Sequence, residues 1–295
     1  MNILLTGATG YLGSHLARAF LSAGHSVTIL KRSFSDLRRL TDVQSSLRMF
    51  DLDRNGLEEA FQSASFNAVV HTATCYGRAG EQSWQIFETN AAWPLRLMEM
   101  AATAGTGMFM NTDTSLDRYL NFYSLSKKQF SEWGKMFAAQ GRIRYVNIEL
   151  EHFFGPGDDD SKFITHVIKS CVENVPEFRL TAGEQKRDFI YIDDVVAAYT
   201  LLLEKAPSLE ASFQEYGLGS GEAVTIREVV ERVHHLTGSG TILNFGALPY
   251  RANEVMESRA DISSLTALGW AREVDLIEGL RKTVEIEALK MKGTH

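Results

Sequence analysis

Cysteine is scarce in this chain: Cys75 and Cys171 are the only two among 295 residues. Two cysteines so far apart exclude a disulfide framework, so we expect a reducing compartment. No apolar run approaches the roughly 20 residues that a membrane-spanning helix requires. The opening residues, MNILLTGATG, lack the basic segment and long apolar core of a signal peptide. We therefore expect a cytoplasmic protein with no membrane partner.

Positive charge is also in short supply. The chain has 30 lysines and arginines against 37 aspartates and glutamates, for a formal net charge of −7. This balance argues against a nucleic-acid partner or an anionic membrane surface. No spacing of histidines or cysteines suggests a zinc site, so we expect no metal. Hydrophobic residues make up 44% of the chain and charged residues 23%, which is typical of a globular protein with a sizeable core.

The first half of the chain alternates short apolar runs with amphipathic segments. Strands are predicted at 2–6, 27–30, 47–50, 68–71, 108–110 and 145–150, and helices at 11–23, 88–104 and 123–139. Strands that alternate with helices predict a parallel, doubly wound sheet. We therefore expect residues 1–155 to form a Rossmann-type domain of the α/β class.

The pattern changes after residues 155–157, Gly-Pro-Gly. Short strands are predicted at 178–181, 189–192 and 242–245, and helices begin near Asp193, Thr225, Asp261 and Asp275, which are good N-cap residues. We expect residues 156–295 to form mostly a smaller, mixed α/β lobe that binds the substrate. Some of its strands and helices are expected to return to the first domain.

Three glycines follow the first predicted strand, in the segment TGATGYLG. Gly7, Gly10 and Gly13 stand at the beginning of the first helix, where free amide hydrogens suit a pyrophosphate. Glycine lets the backbone turn tightly and approach the phosphates. The spacing differs from the commoner G-x-G-x-x-G, and a simple tight turn is the alternative. The strand–turn–helix context favours a dinucleotide site.

The end of the second strand indicates which dinucleotide binds. NAD sites usually place an acidic residue there, whereas this chain has Lys31, Arg32 and Ser33. Two cations and a hydroxyl suit a 2′-phosphate through charge-assisted hydrogen bonds. Because residues 30–34 contain no acid, we expect NADP(H) rather than NAD; a solvated basic loop is the alternative. Further candidate cofactor contacts are Thr9, Tyr11, Leu12, Asp51, Leu52, Thr72, Ala73, Thr74 and Asn90.

Tyr123 and Lys127 lie four residues apart at the beginning of a predicted helix and therefore share one face. A nearby ammonium group favours the phenolate and lowers the pKa of a tyrosine. Such a tyrosine can exchange a proton with a carbinol at neutral pH. Thr112 and Thr114, expected just past the fifth strand, are candidates for the hydroxyl that holds the substrate oxygen. A surface pair on a helix is the alternative interpretation.

Together these motifs resemble the extended short-chain dehydrogenases/reductases, the NAD-dependent epimerase/dehydratase family that acts on nucleotide-linked sugars. The matching segments are TGATGYLG, YSLSK, FFGPGD and RDFIYIDDV, and they run along nearly the whole chain. The resemblance implies that Tyr123 is the catalytic acid/base and Lys127 its pKa partner and ribose ligand. Thr112 falls on the family's Ser/Thr position, with Thr114 as a second candidate.

Other segments are similar to the CDP-paratose and CDP-abequose synthase group, which are 4-ketoreductases of CDP-3,6-dideoxyhexuloses. These segments are TATCYGRAGE, LEHFFGPGD, GEQKRDF and NFGALPYRANEVM. The resemblance implies NADPH-dependent reduction of a C4 ketone on a nucleotide-linked deoxyhexulose, within deoxysugar and lipopolysaccharide O-antigen biosynthesis. Candidate substrate contacts are Tyr76, Arg78, Thr114, His152, Lys162, Arg187 and Arg251, the last two for the diphosphate.

The chain departs from the family pattern at three positions. Dehydratases follow the catalytic threonine with Asp-Glu, whereas Asp113 is followed here by Thr114, so the acid for water elimination is missing. His152 replaces the usual asparagine, and Glu149 replaces an arginine on the sixth strand. Two other functions remain open: a 4-epimerase that holds NAD(H) tightly, and a non-catalytic NADP-binding sensor.

The resemblance also implies a homodimer that packs two helices per subunit, 88–104 and 123–139. Their apolar residues exceed what one buried stripe requires. The residues concerned are Leu95, Leu97, Met98, Met100, Phe130, Trp133 and Phe137.

Overall fold

The computed structural model of the chain describes residues 1–292. The strands are β1 (Asn2–Thr6), β2 (Ser26–Lys31), β3 (Arg48–Asp51), β4 (Ala68–His71), β5 (Met108–Thr114), β6 (Arg144–Leu150), β7 (His152–Phe154), β8 (Glu177–Leu180), β9 (Lys186–Tyr191), β10 (Phe213–Leu218), β11 (Ala223–Thr225) and β12 (Ile242–Phe245). The α-helices are α1 (Tyr11–Ser22), α2 (Gly56–Ser63), α3 (Ser83–Phe87), α4 (Trp93–Thr103), α5 (Phe122–Ala139), α6 (Phe163–Val172), α7 (Ile192–Lys205), α8 (Ile226–Thr237), α9 (Ser263–Ala267) and α10 (Leu276–Lys292).

A seven-stranded sheet organises the first half of the chain, in the order β10-β6-β5-β4-β1-β2-β3. Strands β1 to β6 pair in parallel throughout. The prediction of a Rossmann-type, doubly wound parallel sheet is confirmed. The strand order reverses between β1 and β4, the position at which open α/β sheets bind ligands beyond the carboxyl ends of their strands.

The central strands form because their residues are apolar on both faces. Ile3, Leu4 and Leu5 of β1 have no exposed surface, nor do Val69 and Val70 of β4. Such continuous apolar runs are characteristic of a parallel sheet that helices cover on both sides.

The chain divides into two compact units. The first comprises residues Met1–Leu150 and Val196–Gly217, and the second comprises Glu151–Val195 and the chain from Leu218 onward. In this division the first unit ends at residue 150, and most of α7 and of β10 belongs to it. The cofactor and substrate roles expected for the two parts stay predictions.

The second unit has its own small sheets and its own helical layer. Strands β11, β9 and β7 form one sheet, β12 and β8 another, and α6, α8 and α10 pack on each other. A buried carboxylate joins its loops: Asp188 accepts backbone hydrogen bonds from Ser220 at 2.6 Å, Gly221 at 3.0 Å and Ala260 at 3.1 Å. Burial raises the pKa of Asp188, and these donors oppose that shift.

Several elements differ from the sequence prediction. Strand β5 continues to Thr114, so the two candidate threonines lie inside the strand rather than after it. The helix predicted at 88–104 begins at Ser83 as α3 and contains a π-helical segment, Glu88–Ala92, before α4. The short elements α2, β7, β10 and β11 were not predicted, because they carry too few apolar residues to show a period.

The apolar residues expected at a dimer interface are mostly part of the monomer's own core. Leu97, Met98, Phe130 and Phe137 are buried, and Leu95 and Met100 pack against the same cluster. Of the seven residues predicted, Trp133 alone is largely exposed, at 51%. That part of the prediction was wrong, because α4 and α5 bury more than one stripe between themselves and the sheet.

Within residues 1–292, no helix combines the length and apolar character needed to cross a bilayer. The same part of the chain contains no group of three or more histidine, cysteine, aspartate or glutamate side chains that could hold a metal ion.

Candidate active site

The turn after β1 lies against the chain that leaves β4. Gly7 has φ +72°, and a Cβ there would lie 2.6 Å from both the Ala73 nitrogen and Thr72 Oγ1. Thr72 Oγ1 donates to the carbonyl of Thr6 at 2.8 Å. The two loops that flank the switch point are therefore held together, and glycine alone suits the position.

The N-terminus of α1 opens at the same edge of the sheet. No side chain of residues 1–292 caps this helix at Gly10, and its first turn carries no acid. A Cβ on Gly13 would lie 2.1 Å from the carbonyl oxygen of Gly7. The three glycines form a shallow cradle around free amide hydrogens, which fits a dinucleotide pyrophosphate. Thr9 is half-buried beside it, and Tyr11 and Leu12 are buried.

The residues at the end of β2 have acidic partners that the sequence argument did not foresee. Lys31 pairs with Asp51, directly opposite it in the parallel register of β2 and β3. The Ser33 backbone nitrogen donates to Asp53 Oδ1 at 2.7 Å, and the Ser33 hydroxyl also donates to this carboxylate. These bonds from Ser33 lower the pKa of Asp53. The acids come from twenty positions further along the chain.

Arg32 is the cation of this segment with the most open surroundings. It is exposed, and its guanidinium carbon lies 4.7 Å from the ring centroid of Phe34. A planar guanidinium on an aromatic face keeps its edge donors available for a phosphate. Leu52, another candidate cofactor contact, follows the third strand, and its backbone nitrogen donates a hydrogen bond to the carbonyl of Lys31 at 2.8 Å.

Asn90 joins the loop after β4 to the helix that carries the candidate catalytic pair. Its amide donates to the Cys75 carbonyl at 2.8 Å and to Ser126 Oγ at 3.0 Å. Its carbonyl oxygen accepts from the Cys75 nitrogen at 2.7 Å and from Thr74 Oγ1 at 3.2 Å. Asn90 is fully buried, so in this structure it supports the loop; its role as a cofactor contact stays a prediction.

Helix α5 begins at an asparagine cap and places Tyr123 and Lys127 on one face. The Asn121 side chain accepts from the Ser124 nitrogen at 2.8 Å, which fixes the first turn. Lys127 is buried, at 1% exposure. Burial lowers the pKa of Lys127 to about 8, although the charge of Asp113 acts in the opposite direction.

Tyr123 has polar and aromatic neighbours that define its acidity. Burial raises the pKa of Tyr123 well above its usual value, and the charge of Asp113 adds to this increase. The side chain of Thr114 acts in the opposite direction and lowers the pKa, as does the charge of Arg78. The ring of Tyr76 lies 5.1 Å from that of Tyr123, and Arg78 lies 5.0 Å from the Tyr76 ring.

The two candidate threonines have different partners. Thr112 Oγ1 shares a 2.6 Å hydrogen bond with the hydroxyl of Tyr199, a residue that sequence reasoning missed. Thr114 is the threonine beside Tyr123. Both side chains lie on one face of β5, but positions two apart on a strand are separated by roughly 7 Å. The catalytic role of Thr112, with Thr114 as the second candidate, stays a prediction.

In the second unit, the candidate phosphate ligand Arg187 has an acidic partner. Arg187 Nη2 contacts Glu254 Oε1 at 2.5 Å, and both side chains are largely buried, at 11% and 17% exposure. Burial lowers the pKa of Arg187, as does the positive charge of Arg251, whereas Glu254 and Glu151 raise it. Arg251 itself is exposed.

The other substrate candidates of this unit are His152 and Lys162. His152 Nδ1 lies 3.3 Å from Oε2 of Glu151, and the imidazole packs edge-on against Phe189. Glu151 is almost fully buried and accepts from Ser258 Oγ at 2.5 Å. Lys162 is the N-cap residue of α6. Sequence reasoning missed Glu151, Glu254 and Ser258 as partners of these candidates.

A Rossmann-like sheet that brings an open helix N-terminus and a tyrosine–lysine pair into one unit defines a class: dinucleotide-binding proteins with an oxidoreductase-like fold. The chain belongs to the NAD dependent epimerase/dehydratase family, whose model matches residues 3–214.

Among curated proteins, the chain is 32% identical to the CDP-abequose synthase of Salmonella muenchen over 97% of each chain. It is 31% identical to the CDP-abequose synthase of Salmonella typhimurium over 96% of this chain and 97% of that protein. Among solved structures it is similar to the UDP-glucuronic acid 4-epimerase of Bacillus cereus, with a TM-score of 0.87. That pair is 22% identical, with 99% of this chain and 100% of the other covered, and supports the fold alone.

We predict that Lys127→Met stabilises the cofactor-free protein at pH 7. The folded pKa of Lys127, about 8, lies below the ordinary value of 10.5, so the cost of burying its charge is fully present below pH 8. The gain should be at most about 3 kcal/mol, and it should shrink as the pH rises towards 10. Urea unfolding at several pH values measures it.

Lys135→Met is the matched control, since Lys135 is 44% exposed on the same helix and pairs with Glu215. It should change stability little at any pH. If Lys127→Met is no more stable than the wild type at pH 7, and the difference does not change with pH, then burial of the ammonium group does not cost stability.

Proposed function

We propose that this protein is an NADPH-dependent 4-ketoreductase of a nucleotide-linked deoxyhexulose, with a CDP-3,6-dideoxy-4-hexulose as the favoured substrate. It would serve deoxysugar biosynthesis, including the O-antigen of lipopolysaccharide. One observation carries the proposal: Tyr123 lies on the helix face of the buried Lys127, in the same unit as the glycine cradle at the N-terminus of α1.

The chain's own residues supply the proton side of the reaction. The hydroxyl of Thr112, or of Thr114 as the second candidate, would hold the C4 oxygen together with Tyr123, and Tyr123 gives its proton to that oxygen as it gains charge. The ammonium of Lys127 then stabilises the phenolate, which recovers a proton from solvent. Bound NADPH supplies the hydride that reduces C4. The glycine cradle would hold its pyrophosphate and Arg32 its 2′-phosphate.

Binding energy away from the reacting carbon completes the proposed mechanism. Arg187 and Arg251 would pair with the substrate diphosphate, and that energy serves to orient the keto group. Thr114 supports reduction rather than dehydration, because it stands where a dehydratase needs an acid. Support for the CDP sugar comes from the CDP-abequose synthases, which are similar over almost the whole chain.

A 4-epimerase is the second candidate, and Asp53 is the observation that favours it. An acid at the end of the second or third strand can accept hydrogen bonds from the ribose hydroxyls of NAD. An epimerase returns the hydride to its substrate, so it needs no exchange with a pool of NADPH. A non-catalytic sensor is the third candidate, and the intact Tyr123–Lys127 pair argues against it.

We predict that the protein oxidises NADPH with a nucleotide-linked 4-keto-deoxyhexose, fastest with the CDP form. The CDP, dTDP, UDP and GDP forms are compared by absorbance at 340 nm. Tyr123→Phe keeps the ring but removes the proton donor, so kcat should fall by about 10²- to 10⁴-fold. The dissociation constant of Tyr123→Phe for NADPH should equal that of the wild type.

Tyr119→Phe is the control, because Tyr119 is 78% exposed and outside the site. It should retain wild-type turnover. No oxidation of NADPH with any of the four sugars would contradict the ketoreductase proposal, and near-normal turnover of Tyr123→Phe would show that another group supplies the proton.

We further predict that Arg32 sets the preference for NADPH. Arg32→Ala should raise the NADPH dissociation constant by about 10- to 100-fold, the value of a charge-assisted hydrogen bond, and leave NADH binding nearly unchanged. Asp53→Asn should improve NADPH binding by removing a negative charge near the 2′-phosphate. Fluorescence titration of both cofactors measures these constants.

Arg38→Ala is the matched control, because Arg38 is 70% exposed and pairs with Asp36. It should affect neither cofactor. Equal loss of both cofactors in Arg32→Ala, or selective loss of NADH in Asp53→Asn, would instead favour an NAD-holding epimerase.

We also propose that the protein is a homodimer built on the helical face of α3 and α5. Large apolar side chains are exposed there: Trp84 at 66%, Phe87 at 47%, Phe122 at 62%, Trp133 at 51% and Met136 at 54%. Monomeric proteins rarely expose so many together. A second copy, with the same apolar face, is the partner that the family resemblance implies.

The dimer should be evident by analytical ultracentrifugation at micromolar concentration, and Trp133→Glu should dissociate it. Leu289→Glu is the control, since Leu289 is 70% exposed on α10. A monomeric wild type, or dissociation caused equally by both substitutions, would refute this interface.

A further inference from the structure

Lys128, the residue after Lys127, belongs to a second polar cluster that adjoins the candidate catalytic pair. Lys128 Nζ donates to the backbone carbonyl of Thr114 at 2.7 Å and lies 3.4 Å from Asp113 Oδ2. It also donates to the carboxylate of Glu149 on β6. The Lys128 side chain is 17% exposed, so one ammonium group joins α5, β5 and β6 with little competition from water.

Asp113 is the buried anion of this cluster. Its side chain has no exposed surface, and its Oδ2 accepts from Asn147 Nδ2 at 3.0 Å. Its Oδ1 accepts from the backbone nitrogen of Thr114 at 2.8 Å. Removal of a buried cation leaves an uncompensated carboxylate, which is costly. Lys128 is therefore the direct ion-pair partner that this carboxylate has within residues 1–292.

Thr114 is the residue on which these bonds converge. Its backbone nitrogen donates to Asp113, its carbonyl accepts from Lys128, and its side chain lies beside Tyr123, whose pKa it lowers. Thr114 is the last residue of β5 and pairs with Leu150, the last residue of β6, so the ladder ends with it. The ammonium group adds a contact that holds this strand end to α5.

We propose that Lys128 is a positioning residue that clamps the carboxyl end of β5 and so holds the Thr114 hydroxyl at Tyr123. The charged side chain of Glu149 on the neighbouring strand completes the clamp, because it fixes the ammonium from the opposite side. The effect that we expect on kcat rests on the proposed ketoreductase function, whereas the effect that we expect on hydrogen exchange does not.

The kinetic test compares Lys128→Met with Lys128→Arg. Lys128→Met should lower kcat by about 10- to 100-fold, the effect of a small misplacement in a catalytic site, with KM unchanged. Lys128→Arg, which can still donate to the carbonyl and both carboxylates, should recover most of the turnover. Lys135→Met removes another ion pair from the same helix and should have no effect on kcat.

The structural test needs no substrate. Hydrogen exchange, followed by mass spectrometry on peptides that cover residues 108–122, should be several-fold faster in Lys128→Met and normal in Lys128→Arg and Lys135→Met. Should Lys128→Met fail to fold, Lys128→Gln, which loses the charge but keeps a hydrogen-bond donor, takes its place with the same expected result.

The outcomes separate the two proposals. An active wild type with undiminished kcat in Lys128→Met, or equal losses in Lys128→Met and Lys135→Met, overturns the clamp and leaves the ketoreductase function intact. An inactive wild type with locally faster exchange in Lys128→Met overturns the function and supports the clamp. Unchanged exchange in residues 108–122 overturns the clamp in either case.

Discussion

The burial of the Lys127 ammonium group is the constraint on which the candidate active site depends. The nearby charge of Asp113 favours its positive form, although burial opposes it. A cation in a low-dielectric environment costs folding stability, but it acts strongly on any group that gains negative charge beside it. We propose that the half-buried Tyr123, one helical turn away, is that group. The site is therefore less stable than an apolar core and better suited to proton transfer.

The charges that act on Lys127 also act on its neighbour Lys128. The charge of Asp113 favours the charged form of both Lys127 and Lys128, but the pKa of Lys127 is lowered because its burial dominates, whereas that of Lys128 is raised because Asp113 and Glu149 act together. A similar balance holds in the second unit, where Glu254 and Glu151 offset the charge of Arg187. In both units the cations proposed for function are restrained by acids that lie elsewhere in the sequence. Their positions, rather than their number, determine what each unit can bind.

Local patterns predicted the parts of the site that depend on neighbouring residues. The glycine turn after β1 and the four-residue spacing of Tyr123 and Lys127 are set within one turn and one helix. The sequence could not show that Asp53 meets Ser33, because parallel pairing of β2 with β3 brings them together. Nor could it show that Thr112 meets the hydroxyl of Tyr199, because that residue lies on a helix distant in the chain.

Transfer of deuterium from NADPH to the sugar tests the central claim most directly. The protein is mixed with a CDP-3,6-dideoxy-4-hexulose and with NADPH in which deuterium replaces both hydrogens at nicotinamide C4. The account predicts a product with one deuterium, located at C4 of the sugar by NMR, and one NADP⁺ formed for each product molecule. A product without deuterium, or an isomerised sugar formed while NADPH remains unconsumed, would contradict it.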